Sequence, residues 1–185
     1  MLDNKRISTP LSNETISKLR AGDFVLINGF IFTARDAAHK RLIHLIKRGQ
    51  DLPMEIKGQI IYYVGPTPAK PGYPCGSAGP TTSYRMDPFT PSLLDAGLKG
   101  MIGKGLRSDK VIKSMKKNRA VYFAAVGGAA ALISKSIKKS DIIAYQELGP
   151  EAIYKFYVKD LPVIVVIDAE GNNLYESEPL KYYMD

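Results

Sequence analysis

Hydrophobic residues follow two alternating patterns along the chain. Compact apolar runs, typical of buried strands, predict strands at residues 23–34, 60–64, 98–102, 120–126, 142–146 and 161–168. The intervening segments predict helices, from apolar spacing or from capping and breaking residues, at residues 14–20, 36–48, 88–96, 108–117, 129–134 and 151–157. Strands that alternate with helices indicate an α/β fold in which helices are layered on a sheet.

Glycine and proline interrupt this pattern at two places. Asn28-Gly29 lies inside the first apolar run and favours a turn, so residues 23–34 form either two short strands or one bent strand. Residues 65–79 are crowded with prolines and glycines, and a loop of this length is usually functional or mobile. No repeat or linker divides the chain. We therefore expect one domain over residues 1–185, in which residues 1–21 are a lead-in segment.

The long loop leads into the most chemically crowded stretch, residues 79–87, with the sequence Gly-Pro-Thr-Thr-Ser-Tyr-Arg-Met-Asp. Three consecutive hydroxyl residues are followed by Arg85, whose planar guanidinium suits a carboxylate or a phosphate. A turn into a helix start also leaves N–H groups unpaired, and these favour anions. An ordinary helix N-cap beside a surface arginine explains the same residues equally well.

Two further cations lie at predicted element ends. Arg35 follows the first strand, and Lys104 lies between Gly103 and Gly105, which leave its backbone open to a ligand. Together with Arg85, they could clamp a small dicarboxylate through charge-assisted hydrogen bonds. Each could instead be an ordinary surface charge.

Cysteine and histidine content limits the metal chemistry of the chain. Cys75 is the only cysteine, and with two histidines it cannot build a Cys/His metal cage. An iron–sulfur cluster would need most of its ligands from another chain. A single cysteine fits a reducing cytoplasm, where we expect the protein to lie. No apolar run reaches transmembrane length and no secretion signal is visible, so no membrane association is expected.

The formal net charge of +8 is concentrated in one segment. Residues 99–119 contain eight basic residues and one acidic residue, Asp109, which gives +7. The eight are Lys99, Lys104, Arg107, Lys110, Lys113, Lys116, Lys117 and Arg119. A solvated helix face is the default interpretation, while nucleic acid, an anionic substrate or an acidic partner are alternatives. The segment lacks interleaved aromatic residues, which disfavours nucleic acid.

Six short blocks follow one another in order: residues 35–39, 79–87, 103–105, 127–130, 148–152 and 168–174. The first reads Arg-Asp-Ala-Ala-His, and the Gly-Pro-Thr-Thr-Ser-x-Arg-Met block is the most specific. In this order they resemble the β subunit of class I fumarate hydratase, which is equivalent to the C-terminal domain of the single-chain enzymes. L-Tartrate dehydratase β subunits are similar. The resemblance covers nearly the whole chain.

The resemblance implies a fold, a reaction and a partner. The fold is a single swivelling β/β/α domain, and the reaction is the reversible hydration of fumarate to (S)-malate. A partner α subunit binds a [4Fe–4S] cluster through three cysteines, and one iron acts on the substrate hydroxyl as a Lewis acid. This chain lacks those cysteines, so we expect it to be inactive alone and able to self-associate when isolated.

Two alternatives stay open: an L-tartrate dehydratase β subunit, which converts tartrate to oxaloacetate, and, more distantly, a basic nucleic-acid-binding module. Under the leading interpretation no nucleic acid is bound.

The resemblance also implies roles for individual residues. Three match binders of the substrate carboxylates: Arg35, Arg85 and Lys104. Thr81 matches a proposed catalytic base, and a threonine hydroxyl would need an activating carboxylate from the α subunit. Three more are supporting residues: Asp36, His39 and Thr82. No residue of this chain is assigned as a metal ligand.

Overall fold

One mixed sheet organises the chain, and the computed structural model describes residues 5–125 and 130–177. The strands are β1 (Lys5–Ser8), β2 (Phe24–Thr33), β3 (Ile60–Tyr62), β4 (Gly100–Gly103), β5 (Val121–Ala125), β6 (Ile137–Ala144) and β7 (Ile153–Ile167). The helices are α1 (Asn13–Ser17), α2 (Asp36–Lys47), α3 (Thr90–Asp95), α4 (Asp109–Asn118) and α5 (Ala130–Ser136), with 3-10 turns at Ser83–Met86 and Gln146–Glu151. The predicted mixture of strands and helices is confirmed.

Strand pairing closes five of the strands into a ring. β2, β3, β4 and β5 are parallel neighbours, and the long strand β7 pairs antiparallel with both β5 and β2. β1 and β6 extend the ring at its margins, β1 along β2 and β6 along β7. One hydrophobic cluster fills one face of the strands, and a second cluster packs the other face against α2, α3 and α4. Among the described residues, no helix is long and apolar enough to span a membrane.

Parallel pairing brings the ends of three strands to one place. Thr33 of β2 is opposite Tyr62 of β3, which in turn is opposite Ile102 of β4. The residues that follow these strands therefore emerge side by side, at what we call the carboxyl edge.

Two local predictions differ from the structure, and a third, which had two alternatives, is decided by it. The predicted helix at residues 151–157 is wrong, because β7 runs there from Ile153; its Tyr and Phe side chains favour an extended chain. β6 begins at Ile137, five residues before the predicted strand. The Asn28-Gly29 pair lies within one strand whose register shifts between Ile27 and Gly29, so the bent-strand alternative is confirmed. Gly127, Gly128 and Ala129 lie outside the described residues.

Helix α4 begins without a capping hydrogen bond from its own N-cap side chain. Ser108 occupies the N-cap position, but its side chain makes no capping hydrogen bond. Instead, the Asp87 carboxylate accepts the Ser108 N–H at 2.6 Å. A carboxylate at this position also complements the positive end of the helix dipole. The helix start is thus tied to the end of the 79–87 stretch.

The same carboxylate holds a buried arginine. Arg107, one of the eight bases in the 99–119 segment, has a fully buried side chain and donates from Nε to Asp87 at 2.7 Å. Its Nη2 donates to Thr90 Oγ1 at 2.8 Å, and its guanidinium lies 5.0 Å from the Tyr122 ring centroid. Lys117 pairs with Asp95 at 2.9 Å. The basic segment therefore presents less free positive charge than its sequence suggests.

We predict that Arg107→Met lowers the free energy of unfolding by roughly 3 kcal/mol, because Asp87 is left buried without its cation. Lys113→Met, an exposed base on the same segment, is the matched control and should stay within about 0.5 kcal/mol of the wild type. Urea unfolding of the three proteins measures both values. Equal stability of Arg107→Met and the wild type would contradict this account of the buried pair.

Candidate functional site

The 79–87 stretch is attached to the carboxyl edge by its backbone. The Thr81 N–H donates to the carbonyl of Tyr63, just after β3, at 2.7 Å. Thr82 forms a parallel bridge with Lys104, and the Ser83 N–H donates to the Lys104 carbonyl at 2.9 Å. Thr81, Thr82 and Lys104 are therefore neighbours at the ends of β3 and β4.

Arg85 connects the same stretch to the end of β2. Its Nε and Nη2 donate to the two carboxylate oxygens of Asp36, at 3.1 and 2.8 Å. Asp36 is the first residue of α2, which begins directly after Arg35. This bidentate geometry fixes the plane of the guanidinium, and it leaves Nη1 outside the pair. Asp36 therefore holds Arg85 more closely than it holds Arg35, whose Nη2 is 3.9 Å from Asp36 Oδ2.

Arg35 is held mainly from the opposite side. Its Nη2 lies 3.4 Å from Glu151, whose other carboxylate oxygen accepts the Ala37 N–H at 3.0 Å. The guanidinium lies against Gly65, where an added Cβ would be 3.1 Å from Nη1. The Arg35 Nε is buried and has no hydrogen-bond partner in the described part of the chain. Arg35 thus keeps donor capacity that the described residues do not use.

Lys104 and Thr81 differ from the two arginines in their pairing. The Lys104 side chain is exposed, and no ion pair or hydrogen bond of its amine is found within residues 5–125 and 130–177. Thr81 is partly buried, and its hydroxyl is likewise without a bond to that part of the chain. The edge therefore holds three cations against the two carboxylates of Asp36 and Glu151, with Lys104 the least neutralised.

His39, in the first turns of α2, contacts the backbone of Arg35. Its Nδ1 is 2.8 Å from the Arg35 carbonyl oxygen, which can only accept, so Nδ1 carries the proton. The ring lies edge-on to Tyr63, and its Nε2 is buried without a partner among the described residues. Burial lowers the pKa of His39 to about 4. The histidine is therefore neutral in the folded protein at physiological pH.

Ser83 and Tyr122, which the sequence did not single out, complete the edge. Ser83 is fully buried; its Oγ accepts the Lys104 N–H at 3.1 Å and lies 2.9 Å from the Tyr122 hydroxyl. The sequence places Ser83 in a row of three hydroxyls and gives no sign that it points inward. The glycine at 103 was a usable signal, since a Cβ there would lie 1.9 Å from Ser83 Oγ.

The expected helix start is also different. Residues Ser83–Met86 form only a short 3-10 turn, and the N–H groups of Thr81 and Ser83 are already bonded to strand-end carbonyls. The edge would therefore attract an anion through the positive charge of its side chains and not through the free N–H groups of a helix terminus.

Metal ligands are sparse along the described chain. No group of three or more His, Cys, Asp or Glu residues there is arranged to hold a metal ion. Cys75 is buried, and burial raises the pKa of its thiol. An iron–sulfur cluster needs three or four thiolates, so the residues of this chain do not fit one.

Comparison with known families identifies the family of the chain. The profile described as Fumarase C-terminus matches residues 3–178, and the chain therefore belongs to that family. Its relatives are named as hydratases and dehydratases, which are hydro-lyases, enzymes that add or remove water. The resemblance inferred from the sequence is confirmed.

Particular relatives carry two substrate names. A Methanocaldococcus jannaschii protein, provisionally named L(+)-tartrate dehydratase subunit beta, is 37% identical over 94% of this chain and 92% of its own length. The anaerobic class I fumarate hydratase of Escherichia coli is 41% identical over 81% of this chain and 28% of its own. The aerobic enzyme of Salmonella typhimurium is 37% identical over 92% and 30%. The chain spans less than a third of these fumarate hydratases.

We predict that His39 makes stability depend on pH between about 6.5 and 4. In that window the unfolded chain binds a proton that the folded chain excludes, so stability falls as pH falls, by at most about 1.4 kcal/mol per pH unit. His39→Asn can still donate to the Arg35 carbonyl but cannot titrate, and it should flatten this slope.

Urea unfolding at several pH values between 4.5 and 7.5 measures the slope. His44→Asn, on the exposed side of the same helix, is the matched control and should keep the wild-type slope. A His39→Asn protein with the wild-type slope would show that His39 is not the responsible group.

Proposed function

We propose that this chain is the β subunit of a heteromeric iron–sulfur hydro-lyase that reversibly hydrates fumarate to (S)-malate. It binds the substrate carboxylates and supplies a proton-transfer residue, and a cluster-bearing α subunit completes the site. The observation that carries the proposal is the convergence at the carboxyl edge of four residues from three separate segments: Arg35, Thr81, Arg85 and Lys104.

The charges at the edge suit a dicarboxylate in part. Fumarate carries two negative charges at neutral pH, and Arg85 and Lys104 can each donate charge-assisted hydrogen bonds to a carboxylate. Asp36 holds one side of the Arg85 fork and leaves Nη1 for the substrate. Because Asp36 and Glu151 offset two of the three cations, further positive charge must come from the α subunit.

Thr81 is proposed to transfer the proton. When malate loses water, a base must remove a proton from the carbon beside one carboxylate, and Thr81 would return that proton in the hydration direction. An unassisted threonine hydroxyl is a weak base. The activating group is therefore proposed to be a carboxylate of the α subunit.

The cluster is assigned to the α subunit because this chain does not fit one. Its single cysteine is buried, and no ligand cluster exists within the described residues. The match over 92% of a protein named as subunit beta supports a two-subunit arrangement. The ring of five strands covered by helices is consistent with a domain that swivels against its partner as one body.

L-Tartrate is the second candidate substrate. The observation that favours it is the tartrate dehydratase name of the relative that this chain matches over nearly its full length. Tartrate is also a four-carbon dicarboxylate, so the same cations could bind it. The extra hydroxyl would be recognised by groups that distinguish the two acids, including those of the α subunit.

The test is anaerobic co-expression with the cluster-bearing subunit. Fumarate hydration, L-tartrate dehydration and iron content are measured on the purified complex. Activity toward fumarate supports the leading proposal, and activity toward tartrate alone supports the second. A fully loaded complex that acts on neither acid would refute both.

We predict that Arg85→Lys lowers kcat/KM of this complex about 10- to 150-fold, which corresponds to roughly 1.5–3 kcal/mol. Lysine keeps the charge but loses the fork that binds Asp36 and the substrate together. Arg41→Lys is the matched control, since Arg41 pairs with Glu147 on the exposed side of α2. Unchanged kinetics in Arg85→Lys would remove Arg85 from the site.

A further inference from the structure

Two buried hydroxyls join the 79–87 stretch to the segment that carries Lys104. Ser83 Oγ accepts the Lys104 N–H at 3.1 Å, and the Ser83 N–H donates to the Lys104 carbonyl at 2.9 Å. The Tyr122 hydroxyl lies 2.9 Å from Ser83 Oγ and 2.9 Å from the Gly105 carbonyl. Two backbone polar groups, the Lys104 N–H and the Gly105 carbonyl, thus depend on these two side chains.

The Tyr122 hydroxyl is the donor in both of its contacts. Its single proton is directed towards Ser83 Oγ and the Gly105 carbonyl, each 2.9 Å away. Ser83 Oγ also accepts the Lys104 N–H. The contacts form one connected network from Lys104 through Ser83 and Tyr122 to Gly105. Buried hydrogen bonds of this kind are stronger than in water, and they restrain the groups that they join.

Steric limits restrict the same segment further. A Cβ at Gly103 would lie 1.9 Å from Ser83 Oγ, so only glycine allows the serine to reach the backbone of Lys104. Gly105 has a φ of +80°, which a residue with a side chain adopts only with strain. The Lys104 amine has no partner within the described ranges. Its position therefore depends on how its own backbone is held.

We propose that Ser83 and Tyr122 are positioning residues that fix the Lys104 backbone, so that its amine is aimed at a substrate carboxylate. This inference rests on the proposed function, because it requires Lys104 to bind substrate. It adds two residues to which no role was assigned. One of them, Tyr122, lies on β5, which pairs with β4, the strand that ends beside Lys104.

A purely structural role is the competing explanation. The Tyr122 ring packs in the core and lies 5.0 Å from the Arg107 guanidinium, so removing the ring would disturb both. Tyr122→Phe removes only the hydroxyl and keeps the packing. Tyr62→Phe is the matched control, because Tyr62 is also fully buried on the same sheet, in β3, and donates its hydroxyl to a loop carbonyl, that of Ala78.

The experiment measures steady-state kinetics of the assembled complex with fumarate and (S)-malate. Tyr122→Phe should raise KM roughly three- to tenfold, the effect of one lost hydrogen bond, with a much smaller change in kcat. Tyr62→Phe should lose similar stability in urea unfolding and keep the wild-type KM. In a Lys104→Met background, Tyr122→Phe should raise KM no further, since the amine it positions is gone.

A readout without catalysis uses the full-length chain labelled with 15N. Tyr122→Phe and Ser83→Ala should each shift the amide resonances of Lys104 and Gly105, and Tyr62→Phe should not. Ser83→Ala also serves as the second variant, with the same expected rise in KM as Tyr122→Phe.

The outcomes separate the two proposals. An unchanged KM in Tyr122→Phe and Ser83→Ala, beside a raised KM in Lys104→Met, overturns the positioning role alone. An equal KM effect of Tyr122→Phe with and without the Lys104 amine also overturns it. Wild-type kinetics in Lys104→Met would overturn the substrate-binding role of Lys104 and, with it, the inference that depends on it.

Discussion

The candidate site depends on the way the 81–85 segment is fastened across the ends of two parallel strands. Thr81 is bonded to the chain after β3, and Ser83 is bonded through both its backbone and its side chain to the residue after β4. Without this attachment, a segment that leaves a long proline- and glycine-rich loop would have no fixed place. With it, a hydroxyl, a guanidinium and an amine are presented together on a rigid sheet edge, as precise ligand positioning requires.

Electrostatics at the edge is a balance between positioning and neutralisation. Asp36 and Glu151 orient the two arginines, but each carboxylate also removes part of the attraction for an anionic substrate. Lys104 is held by backbone contacts instead, and its charge is not offset in this way. This balance supports the proposal that the chain alone supplies only part of a dicarboxylate site.

Much of the fold could be predicted from the sequence, because apolar runs and breaking residues report on local structure. β3, β5 and α2 are where the pattern places them, give or take two residues at an end. The ordered blocks of the sequence resemble one family, and that family is confirmed; the roles of the candidate site residues stay a prediction. The helix prediction at residues 151–157 failed because strand pairing with β2 and β6 decides the structure there.

The remaining features could not be predicted, because they depend on contacts distant in sequence. Tyr122 reaches Ser83 across 39 residues, and Glu151 reaches the start of α2 across 114. The burial of Arg107 likewise depends on Asp87, 20 residues earlier.

The most direct test of the whole account is a crystal structure of the assembled αβ complex with succinate, a dicarboxylate that lacks the reacting hydroxyl and double bond. We predict succinate carboxylate oxygens within hydrogen-bond distance of Arg85 and Lys104, with Thr81 facing its central carbons; succinate bound away from the carboxyl edge would contradict the account.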